Sequence, residues 1–157
     1  MSHVSNTTQN RAPDQVDVRG PRFVAWITTA VLVATLLLSA VSTTAAAALL
    51  AVQAVVFAVG ATLGPRRHPY GVLFARVVAP RLGPVTQREP VPPLKFAQAL
   101  GLAFAVVGVA AFVAGLPTLG LVATGFALAA AFLNAAFGIC LGCQLYPLFL
   151  RLTPTHS

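Results

Sequence analysis

Residues 45–63 read AAAALLAVQAVVFAVGATL, a run with no charge and one carboxamide, Gln53. At about 1.5 Å of rise per residue, a helix of this length crosses the roughly 30 Å hydrocarbon core of a bilayer. The preceding run, FVAWITTAVLVATLLLSAV over residues 23–41, has the same character, and Ser42, Thr43 and Thr44 join the two in a tight hairpin. A second pair extends from about Phe96 to Ala114 and from about Leu119 to Gly138, turned by Gly115, Leu116, Pro117 and Thr118. The sequence therefore predicts an all-α integral membrane protein with four transmembrane helices in two hairpins, a membrane domain over residues 22–152.

Composition excludes the main soluble classes. Of 157 residues, 57% are hydrophobic and 8% charged, and the mean hydropathy is +0.84. An average soluble domain has roughly 25% charged residues. Too little polar surface exists for a soluble enzyme or a disordered chain. The 10 Lys+Arg against 3 Asp+Glu read as a topology signal and as headgroup contacts, so the lipid bilayer is the expected partner and nucleic acid is not.

Every basic residue falls on one side of the predicted fold. Arg11, Arg19 and Arg22 precede the first span; Arg66, Arg67, Arg76, Arg81, Arg88 and Lys95 lie in the 64–95 loop; Arg151 follows the fourth. The positive-inside rule then puts both termini and the central loop in the cytoplasm of a multi-pass plasma-membrane protein. Residues 1–21 are expected as a flexible cytoplasmic tail and 153–157 as another. The first apolar run exceeds the 7–15 residues of a signal-peptide core and is read as a retained anchor. In the central loop, Val72 to Val78 between Pro69 and Pro80 predicts a short interfacial helix, and Pro84, Pro90, Pro92 and Pro93 an extended connection. Trp26, Tyr70 and Tyr146 suit an interfacial aromatic belt.

A parallel internal repeat is also expected. Arg22-Phe23 and Lys95-Phe96 open the two hairpins, and Tyr70 to Arg76 and Tyr146 to Arg151 close them, at an offset of about 73 to 76 residues. Small residues form candidate packing seams: Ala47, Ala51, Ala54, Ala58 and Ala61; Gly101, Gly108 and Gly115; and Thr124, Ala127, Ala131, Asn134 and Gly138.

Reactive chemistry concentrates in Cys140-Leu141-Gly142-Cys143. Two cysteines at this spacing can form a disulfide, carry sulfur or supply half of a metal site, and they also serve as small packing residues. A cytoplasmic location disfavours a permanent disulfide and leaves reduced or reactive thiols. An unbroken fourth helix would put both at its C-terminal end, where the macrodipole opposes a thiolate; a break at Gly138 would put Cys140 at a new N-terminus, which favours one. His68, with Arg66 and Arg67, is a candidate thiolate stabiliser. Asn134 is a candidate substrate-binding group, and with Gln53 and Gln98 it is otherwise an interhelical hydrogen-bonding residue. Arg66, Arg67, Arg76 and Arg81 are candidates for a partner or for headgroups. No cofactor and no metal are assigned. The absence of ionisable groups inside the spans argues against a drug/proton antiporter.

Three motifs together carry a resemblance: Asp17-Val18-Arg19-Gly20-Pro21-Arg22-Phe23, Gly64-Pro65-Arg66-Arg67-His68-Pro69-Tyr70-Gly71, and Phe132 through Cys143. Over about residues 16–152 the chain resembles the bacterial integral-membrane family catalogued as domain of unknown function 4395. Val18 departs from the proline often found after the first Asp. The resemblance implies a bacterial inner membrane, maps the family's cysteine pair onto Cys140 and Cys143, and implies thioredoxin-like or sulfurtransferase partners. The functional expectation is a thiol-redox or sulfur-handling membrane component rather than an independent enzyme. A docking subunit that uses the basic loop is the alternative, and a small-solute permease the third reading.

The topology is directly testable. In a cysteine-free background, single cysteines at Thr43 and Thr118 should label from outside intact cells with a membrane-impermeant maleimide, and one at Gln87 should not. Labelling at Gln87 would reverse the orientation.

Overall fold

The computed structural model describes residues 14–153; the expected tail segments 1–13 and 154–157 lie outside the described residues. In chain order the elements are β1 (Gln15–Asp17), α1 (Arg19–Ser39), α2 (Thr43–Leu63), α3 (Pro69–Leu73), β2 (Arg88–Pro90), α4 (Val91–Val113), α5 (Pro117–Phe137) and α6 (Leu141–Leu152). α1, α2, α4 and α5, of 21 to 23 residues, are long and apolar enough to span a membrane. The protein is an all-α integral membrane protein of two helical hairpins.

Proline chemistry sets several helix starts. Pro21 lies in the first turn of α1, Pro92 and Pro93 in that of α4, and Pro117 opens α5. The first N–H groups of a helix have no intrahelical acceptor, so proline removes no hydrogen bond there and its fixed φ suits the turn. This corrects the sequence expectation that Pro92 and Pro93 belong to an extended connection; extended backbone ends at Pro90. Ser42 caps α2, its Oγ accepting from the Ala45 N–H at 3.1 Å, a cap usually worth about 1 kcal/mol. Gly115, at φ +78°, turns the second hairpin. The predicted short helix in the central loop exists, with α3 continued by a π turn (Phe74–Val78) and a 3-10 turn (Ala79–Arg81). Phe74 is buried against Gly20 and the Phe23 ring of α1.

The N-terminal segment departs from expectation. From Asp14 onward it is ordered into the fold and is no free tail. β1 pairs antiparallel with β2 in the register Gln15↔Pro90, Val16↔Glu89 and Asp17↔Arg88. Arg19 clasps Asp17 (Nη2–Oδ2 2.7 Å) and donates to the Gly83 carbonyl at 3.1 Å. That side-chain hydrogen bond, with burial opposing it, holds the Asp17 carboxyl below its usual range. Arg66 pairs with Asp14 and donates to the Gln15 carbonyl at 2.8 Å. Arg22 reaches across to the Ala135 carbonyl in the last turn of α5 at 3.3 Å, where the helix dipole favours a cation.

The element order repeats. β1-α1-α2-α3 and β2-α4-α5-α6 start at positions about 73 residues apart throughout, and each third helix packs on the first helix of its own half. Because β1 and β2 pair with each other, α1 and α4 begin at the same end of the bundle. All described basic residues lie at this end, hereafter the basic end.

Helix packing follows one register. α2 and the antiparallel α4 interlock through glycines of both: a methyl on Gly108 of α4 would lie 2.6 Å from Leu50, one on Gly101 of α4 2.6 Å from Phe57, and one on Gly60 of α2 2.8 Å from Gln98 of α4. Lipid supplies no hydrophobic drive between helices, so this interpenetration and its van der Waals contact hold the pair. Two expected seams shift accordingly. On α2 the buried face is Ala46, Ala47, Leu50, Gln53, Val56, Phe57 and Gly60 rather than the alanine stripe, and Gly115 belongs to the turn, with nothing within 4 Å of its missing Cβ. Gly101 and Gly108 on α4 receive bulk from α2, and Gly60 on α2 receives Gln98 from α4, so each contact needs a small residue on one side only.

Replacing Gly108 by Leu is therefore expected to lower the thermal midpoint in detergent, by the roughly 1–3 kcal/mol usual for overpacking. Val107→Leu, at a position 45% exposed, should leave it in place. Equal effects would remove the glycine register as the basis of the bundle.

Candidate functional site

The site is built where each half of the repeat leaves its second long helix. Gly64 (φ +85°) follows α2 and Gly138 (φ +69°) ends α5, both in conformations that disfavour a side chain. At the second, the Gly138 and Ile139 N–H groups donate to the Asn134 and Leu133 carbonyls at 3.0 and 3.2 Å, the first of these being the bond of a left-handed glycine cap. Of the two geometries open to the cysteines, the broken helix is the one adopted.

Each third helix is then capped by a reactive side chain. Cys140 is the N-cap of α6, its Sγ accepting from the Cys143 N–H at 3.1 Å. His68, in the corresponding position, is the N-cap of α3, its Nδ1 accepting from the Tyr70 N–H at 3.2 Å.

Cys140 and Cys143 are joined as a disulfide, with Cα atoms 5.2 Å apart. The sequence reading set aside a permanent disulfide and kept reduced or reactive thiols; the structure holds the oxidised pair. The first turn of a helix brings Cα atoms three apart within disulfide range. A loop this small restricts the unfolded chain little, so the bond contributes correspondingly little stability.

His68 does not serve as a cationic thiolate stabiliser. It is 1% exposed, and burial pushes its pKa down from 6.5 to about 4, opposed by the neighbouring Gln98 carboxamide. At neutral pH it is an uncharged imidazole. Because Nδ1 accepts a hydrogen bond, the proton resides on Nε2. Arg66, the other expected cationic support, is engaged by Asp14 and the Gln15 carbonyl. What remains to favour a thiolate at Cys140 is the N-terminus of α6 itself.

Between α1, α4 and α5, under α6, lies a cavity of about 260 Å³ whose wall includes His68, Asn134 and Cys140. Three of the sequence-nominated site residues thus share one space. Cys143, Arg66, Arg67, Arg76 and Arg81 are not on the wall. α6 is laid over α4 closely enough that a methyl on Gly142 would be 2.6 Å from the Ala97 Cα, and Phe96 packs on Tyr146 and Phe149 at 5.7 and 4.9 Å between ring centroids.

Two polar groups of the wall were not singled out by sequence as ligand contacts. Thr28 Oγ1 and Gln98 Oε1 are buried without a hydrogen-bond partner, as is His68 Nε2. Thr29, Thr35 and Thr124 each donate back to the carbonyl four residues earlier at 2.7 to 2.9 Å. Thr28 does not, and unlike its neighbour Thr29 it stands on the cavity wall. Tyr70 is also reassigned: its hydroxyl donates inward to Gln53 Oε1 at 2.8 Å, fixing α3 to α2 instead of marking an aromatic belt. Gln53 is thus an interhelical hydrogen-bonding residue, as expected. Among the described residues, no cluster of three or more His, Cys, Asp or Glu is arranged to hold a metal.

The buried imidazole predicts a pH dependence. The unfolded chain binds the His68 proton near pH 6.5 and the folded chain only near 4, so between these values the unfolded state carries more protons and stability falls as pH is lowered. Thermal midpoints measured in detergent from pH 7 to 4 should decline less steeply for His68→Asn, which keeps a capping side chain. Parallel profiles would contradict the buried, neutral assignment.

No curated protein and no solved structure matches the chain. The profile of the family described as domain of unknown function (DUF4395) matches residues 16–151. That span runs from β1 to the penultimate residue of α6 and takes in both capped helices and the cavity between them, and the chain belongs to this family.

Proposed function

We propose that the protein is a thiol-redox component of a bacterial plasma membrane, exchanging disulfides through Cys140 and Cys143 with a cytoplasmic thioredoxin-like or sulfurtransferase partner. The observation that carries this reading is the position of the pair: an N-capping cysteine bonded to a second one a turn later, at the start of a twelve-residue helix. The free N–H groups and positive dipole end of such a helix lower the thiol pKa, and thiolate character controls exchange.

Orientation supports the same reading. With all described Lys and Arg at one end, the positive-inside rule favours a cytoplasmic side for that end and for the cysteines there. Disulfides in that compartment are usually transient and catalytic or redox-sensing, and this one closes too small a loop to act as a staple. In the exchange, a partner thiolate attacks Cys140 Sγ and the Cys143 thiolate departs. The second partner thiolate attacks the mixed disulfide and releases the Cys140 thiolate. One dithiol and one disulfide enter, and one of each leaves. In its sulfur-handling form, the Cys140 thiolate takes the terminal sulfur of a partner persulfide and releases the partner thiolate.

One observation favours the docking-subunit alternative: Arg67, Arg76 and Arg81 are exposed together at the basic end. Arg66, held by Asp14, is no longer part of that set.

After reduction, Cys140 should alkylate at pH 7 roughly tenfold faster than an ordinary thiol of pKa about 8.5. Cys143→Ser should trap a mixed disulfide with a thioredoxin-like protein through Cys140, and Cys140→Ser should trap none. Two thiols of ordinary rate and no adduct would refute the exchange, and loss of partner capture on neutralising Arg67, Arg76 and Arg81 would then favour docking.

A further inference from the structure

We infer that the cavity between α1, α4 and α5 binds the ring of a lipid-soluble quinone, which accepts two electrons from the reduced Cys140–Cys143 pair. The inference rests on the thiol-exchange reading for the source of those electrons and adds their destination.

Size comes first. An engineered cavity of about 150 Å³ accepts benzene, so about 260 Å³ accommodates one substituted six-membered ring. Phe57, Phe104 and Phe126 lie on the wall, and the Phe104 and Phe126 rings are stacked with centroids 5.9 Å apart. Charge narrows the class further. None of the lining residues is Lys, Arg, Asp or Glu, so a nicotinamide or flavin nucleotide would bring phosphates with no counter-charge. An electron acceptor suited to this wall is neutral and membrane-soluble.

The unpaired polar atoms select its functional groups. His68 Nε2, which carries the proton, and the Thr28 hydroxyl are donors, and Gln98 Oε1 is an acceptor; none of these buried atoms makes a hydrogen bond of ordinary geometry, although the Gln98 carboxamide lies beside the imidazole. A buried unsatisfied group costs about 1–3 kcal/mol. A hydrocarbon chain would leave the Thr28 hydroxyl unpaired and would offer nothing to the imidazole or the carboxamide. A quinone offers two carbonyl oxygens to the donors, and the quinol offers two hydroxyls to the acceptor, so both oxidation states find partners on the same wall. Cys140 is on that wall too.

The reaction balances. As the S–S bond closes, the two thiols lose two protons and two electrons. The quinone gains both, and its two carbonyls become hydroxyls. The partner dithiol then reduces the disulfide, so each cycle converts a dithiol and a quinone into a disulfide and a quinol. His68 contributes a hydrogen bond to a carbonyl oxygen and remains neutral throughout.

The test uses the full chain in nanodiscs, reduced with a phosphine, desalted without oxygen and mixed with decylubiquinone, whose ring has no free carbon for thiol addition. One quinone should disappear per two thiols as the disulfide returns. Ala130 also lines the cavity, and Ala130→Phe, which fills it, should slow this at least tenfold while its disulfide is still reduced by dithiothreitol at the wild-type rate. His68→Asn should raise the quinone concentration needed for half-maximal rate. If dithiothreitol cycles the wild-type pair but quinone never oxidises it, this inference falls and the exchange reading stands. If Ala130→Phe is oxidised as fast as wild type, the reaction lies outside the cavity and the inference also falls. A pair that no dithiol reduces removes the exchange reading itself.

Discussion

The close approach of α2 and α4 is the contact on which the rest of the molecule depends. In lipid, two apolar helices gain nothing by leaving the solvent, so they associate only where their surfaces interpenetrate. Leu50 and Phe57 do this over Gly108 and Gly101, and the same register ends at Gly60, where an added methyl would lie 2.7 Å from the His68 ring and 2.8 Å from Gln98. The proximity that holds the bundle together thus also strips His68 of water. Its neutrality follows from helix packing rather than from any neighbouring charge, and its tautomer from the Tyr70 N–H that Nδ1 accepts.

The polar ends of the chain make a second constraint. The β1–β2 ribbon, the Asp17–Arg19 clasp and the Arg66 contacts join the N-terminal segment, the α2–α3 loop and the start of α4. They fix the start of each half beside that of the other, so the two third helices fall at the same end of the bundle. Each half then delivers one capping side chain to a common cavity: a neutral imidazole from the first, a sulfur of the cysteine pair from the second. The repeated framework carries different side chains at equivalent positions, and a site that neither half contains alone lies between them.

The electrostatic character of this site differs from that of a thiol activated by a basic cluster. The arginines at the basic end pair with Asp14 and Asp17, cross to a backbone carbonyl, or stand exposed outside the cavity. Local support for a thiolate comes from helix geometry, and the interior stays free of formal charge. That combination fits exchange at the membrane surface combined with neutral chemistry in the membrane interior.

Apolar runs as long as residues 45–63 have one stable arrangement in a bilayer, because every backbone polar group must be paired within the segment. The four spans, the two hairpins, the shared basic side and the short loop helix therefore follow from the sequence, as does the choice of Cys140, His68 and Asn134 as residues of interest. Helix starts at Arg19 and Val91 were less legible, since proline in a first turn looks like proline in a loop. Only the tertiary structure decided that His68 is buried and uncharged beside Gln98, that Arg66 is held by Asp14, that the Thr28 hydroxyl is left unpaired and that the two cysteines are joined. Each of these depends on which side chains from segments far apart in sequence displace water around a given atom, and the apolar periodicity of a single helix carries no information about that.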